Sequence, residues 1–223
     1  MATATSRLIG LLLAGLLWTT TPATAQRILV IGDSVAAWNG HGVADAIEDA
    51  LGVDVRSNAR SGANMSTSGL AGRLIGGEIP PQLKGGPWDW VVMIGGANDL
   101  IGECRCGACG RVLSSLVSED GARGEVPALV SQARAAGARV VWADYYLSNR
   151  GLDGPQACIR DYEMFEDRTR RMAASDPGIL WVDMEDVIDP RDRDDFAFDR
   201  VHPSAIGSAK IGALIAQAIA AAD

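Results

Sequence analysis

Five short apolar runs, separated by stretches too long for hairpin turns, limit what this chain can fold into. They are Arg27 to Ile31 closed by Gly32, Val53 to Val55, Trp88 to Ile94 closed by Gly95 and Gly96, Arg139 to Ala143, and Ile179 to Val182. Runs of this kind, apolar without alternation, suit strands covered on both faces. Between them lie helical patterns. His41 to Leu51 carries Val43, Ala46, Ile47 and Ala50 at helical spacing, and Gly121 to Ala136 carries Val126, Leu129, Val130 and Ala133, with Gly137 as its C-cap. Pro155 to Ala174 reads as a further helix, and Ser204 caps a last one running to Ala222. Strands alternating with helices imply right-handed crossovers, hence an α/β fold with a parallel sheet between two helical layers. Five strands suggest the order 2-1-3-4-5. In such a sheet ligands bind outside the carboxyl ends of the strands, where the strand order reverses.

Residues 1–25 read as a leader and not as part of the fold. Arg7 precedes the apolar run Leu8 to Trp18, and Ala23-Thr24-Ala25 has the small-x-small form of a signal-peptidase site. The run is short of the roughly 20 residues that cross a bilayer, so cleavage before Gln26 and export to the periplasm or beyond are expected, with no transmembrane segment. Of the 20 basic and 28 acidic residues, the leader holds one Arg and no acid, which leaves 19 against 28 and a net charge of −9. So acidic a chain is a poor partner for nucleic acid. No linker, repeat or low-complexity tract divides residues 26–223, which form one expected domain. The stretch Gly69 to Gly86, with Gly76-Gly77, Pro80-Pro81 and Gly85-Gly86, reads as a long surface loop.

Four cysteines, Cys104, Cys106, Cys109 and Cys158, are an even number in a chain expected to be exported, which favours disulfides in one of three pairings. Their spacing also fits a tetrahedral zinc, and Cys106-Gly107-Ala108-Cys109 has the outline of a dithiol motif. Asp192, Asp194 and Asp195 lack the glycine and final glutamate of a loop calcium site.

Four short segments carry chemistry: Gly32-Asp33-Ser34-Val35, Ser61-Gly62-Ala63-Asn64, Gly96-Ala97-Asn98-Asp99 and Asp199-Arg200-Val201-His202. Ser34, Gly62 and Asn98 follow strands one, two and three, at the carboxyl edge. A serine on the turn into a helix can present its hydroxyl outward, although Asp33 or Ser34 could equally be a simple helix cap. His202 and His41 are the only histidines. Imidazole can take the serine proton and return it, and Pro203 keeps His202 extended on a loop. Asp199, three residues earlier, can hold the other ring nitrogen. The Ser34 amide, the Gly62 amide and the Asn98 carboxamide would supply an oxyanion hole. The competing reading of each piece is structural: turn glycine, turn Asn-Asp pair, and a solvated acidic loop shared with Asp189, Asp192, Asp194 and Asp195.

In this order the four segments resemble the four sequence blocks of the SGNH/GDSL hydrolase family, with Val35 where its name expects leucine. The resemblance spans strand one to the final helix. It implies a flavodoxin-like three-layer sandwich, nucleophile Ser34, base His202, orienting Asp199, oxyanion donors Ser34, Gly62 and Asn98, and no cofactor or metal. No Gly-x-Ser-x-Gly elbow occurs, which counts against the larger α/β-hydrolase fold. The expected activity is cleavage of small acyl esters; an O-acetyl carbohydrate esterase, a lysophospholipase and a catalytically silent binding domain are the alternatives. Substrates would be small-molecule, lipid or glycan esters. Trp38, Tyr145, Tyr146 and the Gly69 to Gly86 loop are candidate pocket walls.

Overall fold

The computed structural model describes residues 26–66, 77–105, 107–153 and 156–223. The expected leader and the first part of the Gly69 to Gly86 loop lie outside the described residues. Five parallel strands form one sheet in the order β2-β1-β3-β4-β5. They are β1 (Arg27–Gly32), β2 (Asp54–Ser57), β3 (Trp90–Ile94), β4 (Arg139–Asp144) and β5 (Ile179–Asp183). The expected order is the observed one, and the strand boundaries differ from expectation by one or two residues.

Alternate residues of the central strands feed two separate cores, so both faces of the sheet are buried. Leu29, Ile31, Val91, Met93, Val140 and Trp142 face one way. They pack beneath α2 (Gly110–Leu116), α3 (Glu125–Ala135) and α4 (Gln156–Ala174). Ile28, Val30, Trp90, Val92, Val141 and Ala143 face the other way, against α1 (Ser34–Leu51) and α5 (Ala205–Ala222). Each fully buried side chain of this kind contributes about 1.5–3 kcal/mol relative to exposure.

Helix α5 is long and apolar enough to cross a membrane by length and composition alone. Here it is a core helix: Ile211, Ile215 and Ile219 are fully buried against α1. Ser204 caps it as expected, its hydroxyl accepting from the Gly207 amide at 3.1 Å. The helix expected from Gly121 starts later, at Glu125. Gly124 sits at φ 124°, ψ −178°, a conformation open essentially to glycine alone, and the helix begins only after it. Gly137, expected to be the C-cap, lies one residue past the observed cap, Ala136, at φ 92°.

A wide turn of π type (Leu100–Cys104) ends at Cys104, which is joined to Cys109 by a disulfide with Cα atoms 5.2 Å apart. Cys109 is buried in the core beneath α2. Cys106 and the side chain of Cys158 lie outside the described residues. Among the described residues no group of three or more His, Cys, Asp or Glu side chains converges as a metal site.

Candidate active site

The turn leaving β1 decides between the two readings of Asp33 and Ser34, and each residue takes a different job. Asp33 is the N-cap of α1: its Oδ1 accepts from the Val35 amide at 3.0 Å. That leaves the Ser34 hydroxyl free of capping, and its Oγ lies 2.8 Å from His202 Nε2. Gly32 makes the approach possible. A Cβ there would lie 2.3 Å from the Ile94 carbonyl oxygen, the atom that accepts the Asp33 amide at 3.1 Å.

His202 sits on the return limb of a tight loop bridged between Phe196 and Pro203, where the Ala197 amide donates to the His202 carbonyl at 2.8 Å. Asp199 holds it twice. Its Oδ2 lies 2.5 Å from His202 Nδ1, and its Oδ1 accepts the Val201 and His202 amides, each at 3.0 Å. Burial pushes the Asp199 carboxyl up, but the His202 ring and these two amides pull it further down, so it lies below the usual carboxylate range. An ionised Asp199 fixes the Nδ1–H tautomer, which leaves Nε2 as the acceptor facing Ser34. Trp38 stacks on the His202 ring with centroids 3.9 Å apart and planes 7° from parallel.

Gly62 and Asn98 are drawn to this edge by a web of bonds between the segments. The Asn98 carboxamide donates to the Ala63 carbonyl at 2.9 Å, which ties the third segment to the residue beside Gly62. One donor hydrogen of that carboxamide is thereby used and one remains. Asp99, fully buried, accepts the Met65 and Ser66 amides at 2.9 and 2.7 Å. The Arg60 amide donates to the Gly32 carbonyl at 3.1 Å, binding the second segment to the first. Asn98-Asp99 is therefore not an idle turn pair.

Three further residues complete the web, and the sequence alone did not single them out for it. Gln82, buried in a single turn Pro80–Gln82, accepts the Gly32 amide at 2.8 Å and donates to the Gly32 carbonyl at 3.0 Å. Tyr145 donates its hydroxyl to Asp33 Oδ2 and accepts the Ala97 amide at 3.2 Å, joining the first and third segments. Tyr146 donates to the Val201 carbonyl at 2.9 Å. These tyrosines brace the loops, where the sequence had suggested pocket walls. Burial raises the Asp33 carboxyl to about 6 despite its Tyr145 and Val35 bonds, and raises Asp99 to about 6 in the same way. The acidic loop before His202 is also mostly structural. Asp195, fully buried, meets Lys210 Nζ at 2.6 Å, and Asp192 caps a short turn through the Asp194 amide.

The family model described as "GDSL-like Lipase/Acylhydrolase family" matches residues 30–210. The chain belongs to that family. Its members are hydrolases of ester bonds, and this chain is an enzyme of that class. Among solved structures, the GDSL hydrolase fold is shared with TesA at 21% identity, covering 89% of this chain and 100% of that one with a TM-score of 0.60. The lipase Lip_vut3 from a goat rumen metagenome is 19% identical over 89% of this chain and 97% of its own, TM-score 0.58. A carbohydrate acetylesterase from Sinorhizobium meliloti is 16% identical over 88% and 99%, TM-score 0.61. At these identities the likeness is one of fold. No curated protein sequence matches the chain.

Proposed function

We propose that this GDSL-family hydrolase is a serine esterase in which Ser34 is the nucleophile, His202 the general base and Asp199 its orienting carboxylate. The observation that carries the proposal is the unbroken line from Ser34 Oγ through both nitrogens of His202 to Asp199, at 2.8 and 2.5 Å. His202 Nε2 takes the hydroxyl proton as Ser34 Oγ bonds to the ester carbonyl carbon. The oxyanion is met by the Ser34 and Gly62 amides and the remaining Asn98 hydrogen. Collapse breaks the C–O bond, His202 gives its proton to the departing alcohol, and an acyl-serine is left. Water repeats the sequence and releases the acid.

Small acyl esters remain the favoured substrates. A specific observation raises the alternative of an O-acetylated carbohydrate. A cleft of about 630 Å³ lies past the end of β2, lined by polar groups that include His41, Ser57, Asn58, Arg60 and Glu78. Arg60 and Gln82, both on its wall, bond to Gly32, two residues before Ser34, although Ser34 and His202 themselves do not line the cleft. A hydroxyl-rich alcohol portion suits such a wall better than an alkyl chain does. We also propose that residues 1–25 are removed on export, which N-terminal sequencing of the protein recovered from the cell envelope or medium would test.

The deciding experiment is hydrolysis of chromogenic acetate, butyrate, octanoate and palmitate esters by the purified protein and by Ser34→Ala. The expected result is activity falling with chain length and lost by several orders of magnitude in the variant. Equal turnover by parent and variant would remove Ser34 as the nucleophile. Preference for palmitate would overturn the small-acyl reading.

A further inference from the structure

The helix that starts at Ser34 breaks after one turn, and the break delivers a side chain to the histidine. Trp38 leaves helical geometry at ψ 159°, and Asn39, Gly40 and His41 follow in three successive left-handed conformations, at φ 52°, 66° and 74°. Two of the three are not glycine, so the segment is strained and must be held by its surroundings. It is held at both ends. The Asn39 carboxamide donates to the Pro203 carbonyl at 3.0 Å and to Ser208 Oγ at 2.9 Å, and His41 Nδ1 pairs with Ser57 Oγ at 2.8 Å. An unbroken helix would carry Trp38 onward along α1. The break instead lays its indole flat on the imidazole of His202, at 3.9 Å and 7°.

The contact adds a constraint that the neighbours of His202 do not supply. Ser34 and Asp199 meet the ring at its two nitrogens, in its plane, and leave rotation about the line between them open. An indole against the ring face closes that freedom. The same face carries the negative end of the indole quadrupole, so it attracts the imidazolium formed when His202 takes a proton more than it attracts the neutral ring. Asn39, one residue on, fixes the backbone just past His202 through Pro203, so stack and clamp act on the same loop.

We propose that Trp38 is a positioning residue for His202, holding the imidazole face and stabilising its protonated form during turnover, with Asn39 clamping the loop that carries it. The inference rests on the triad reading above. It makes Trp38 part of the catalytic support, where a pocket wall would act on substrate affinity.

The test compares parent, Trp38→Ala, Trp38→Phe and Asn39→Ala on a chromogenic acetate ester, with circular dichroism to show that each is folded and a fluorophosphonate probe to measure the reactivity of Ser34. Trp38→Ala is expected to lose about 10-fold in kcat, the scale of a partly desolvated cation–π contact, with KM changed less than about twofold. Probe labelling should slow in parallel, because it needs the same base. Trp38→Phe restores a ring face and should recover most of kcat, which also serves if the alanine variant fails to fold. A rise in KM with kcat unchanged would make Trp38 a substrate wall and overturn the proposal. So would a Trp38→Phe variant no better than Trp38→Ala, or parental kcat in Trp38→Ala. A parent that neither hydrolyses esters nor reacts with the probe would refute the triad reading itself, and this inference with it.

Discussion

Asp33→Asn should stabilise this protein at alkaline pH and not at acid pH, by an amount the burial of Asp33 sets. The carboxyl is raised from 3.8 to about 6 by burial. At about 1.4 kcal/mol for each tenfold change in proton affinity, ionising it inside the fold costs about 3 kcal/mol more than in the unfolded chain. The sign follows from proton counts. Between pH 4 and 6 the native state binds more protons at this site than the unfolded state, so stability falls as pH rises through that window. Below pH 4 both states are protonated and the cost vanishes; above pH 7 both are ionised and it is complete. Asparagine is neutral throughout. Its Oδ1 still accepts from Val35, and its NH2 meets the Tyr145 oxygen, at a cost of about 1 kcal/mol for a reorganised hydrogen bond. Urea unfolding followed by circular dichroism at pH 4, 5, 6, 7 and 8 measures the difference between variant and parent. The expected change across the series is about 2.5 kcal/mol, from about 0.5 kcal/mol destabilising at pH 4, where the unfolded carboxyl is already more than half ionised, to about 2 kcal/mol stabilising at pH 8. A difference constant to within about 0.5 kcal/mol over that range would refute the argument, because it would mean that Asp33 titrates alike in both states.

Gln82→Met keeps the side-chain volume but removes the acceptor of the Gly32 amide, so a loss of about 1–3 kcal/mol is expected, read as a fall of about 3–8 °C in Tm. Tyr145→Phe strands Asp33 Oδ2 and the Ala97 amide together; its cost, measured by urea unfolding, should grow with pH and shrink by more than about 1 kcal/mol when combined with Asp33→Asn. Gly32→Ala drives a Cβ against the Ile94 carbonyl and shifts the turn that carries Ser34, so ester turnover should fall more than 10-fold even where a far-ultraviolet spectrum shows the fold retained, an outcome at the scale of an ångström's misplacement.

The sheet order was legible because parallel strands covered on both faces write themselves as uninterrupted apolar runs, and Val30, Val92 and Val141 are buried as those runs imply. The first three chemical segments were legible because each follows a strand and carries a glycine, and the fourth because of its Asp-x-x-His spacing. What holds them together was not. Gln82 reaches Gly32 across 50 residues, Tyr145 reaches Asp33 across 112, and Asn39 reaches Pro203 across 164, and no local pattern encodes such partners. The helix break was half legible. Helical spacing was read from His41 onward, one residue before helical geometry resumes at Gly42, but Trp38 signals nothing about a ring 164 residues away that it covers. The late start of α3 was hidden for the opposite reason: its apolar spacing from Val126 is sound, but Gly121 and Gly124 both take positive φ and hold the residues before Glu125 out of the helix.

The hydroxyl of Ser34 and the imidazole of His202 are 168 positions apart in the chain, and the loop bearing the histidine leads straight into α5, which packs on α1. A chain interrupted anywhere before residue 202 therefore owns the proposed nucleophile without its proposed base. On that reading activity is expected to return after dilution from denaturant only once β1, α1 and the His202 loop have come together, so its rate of appearance, set beside the recovery of circular dichroism, measures how late that junction closes.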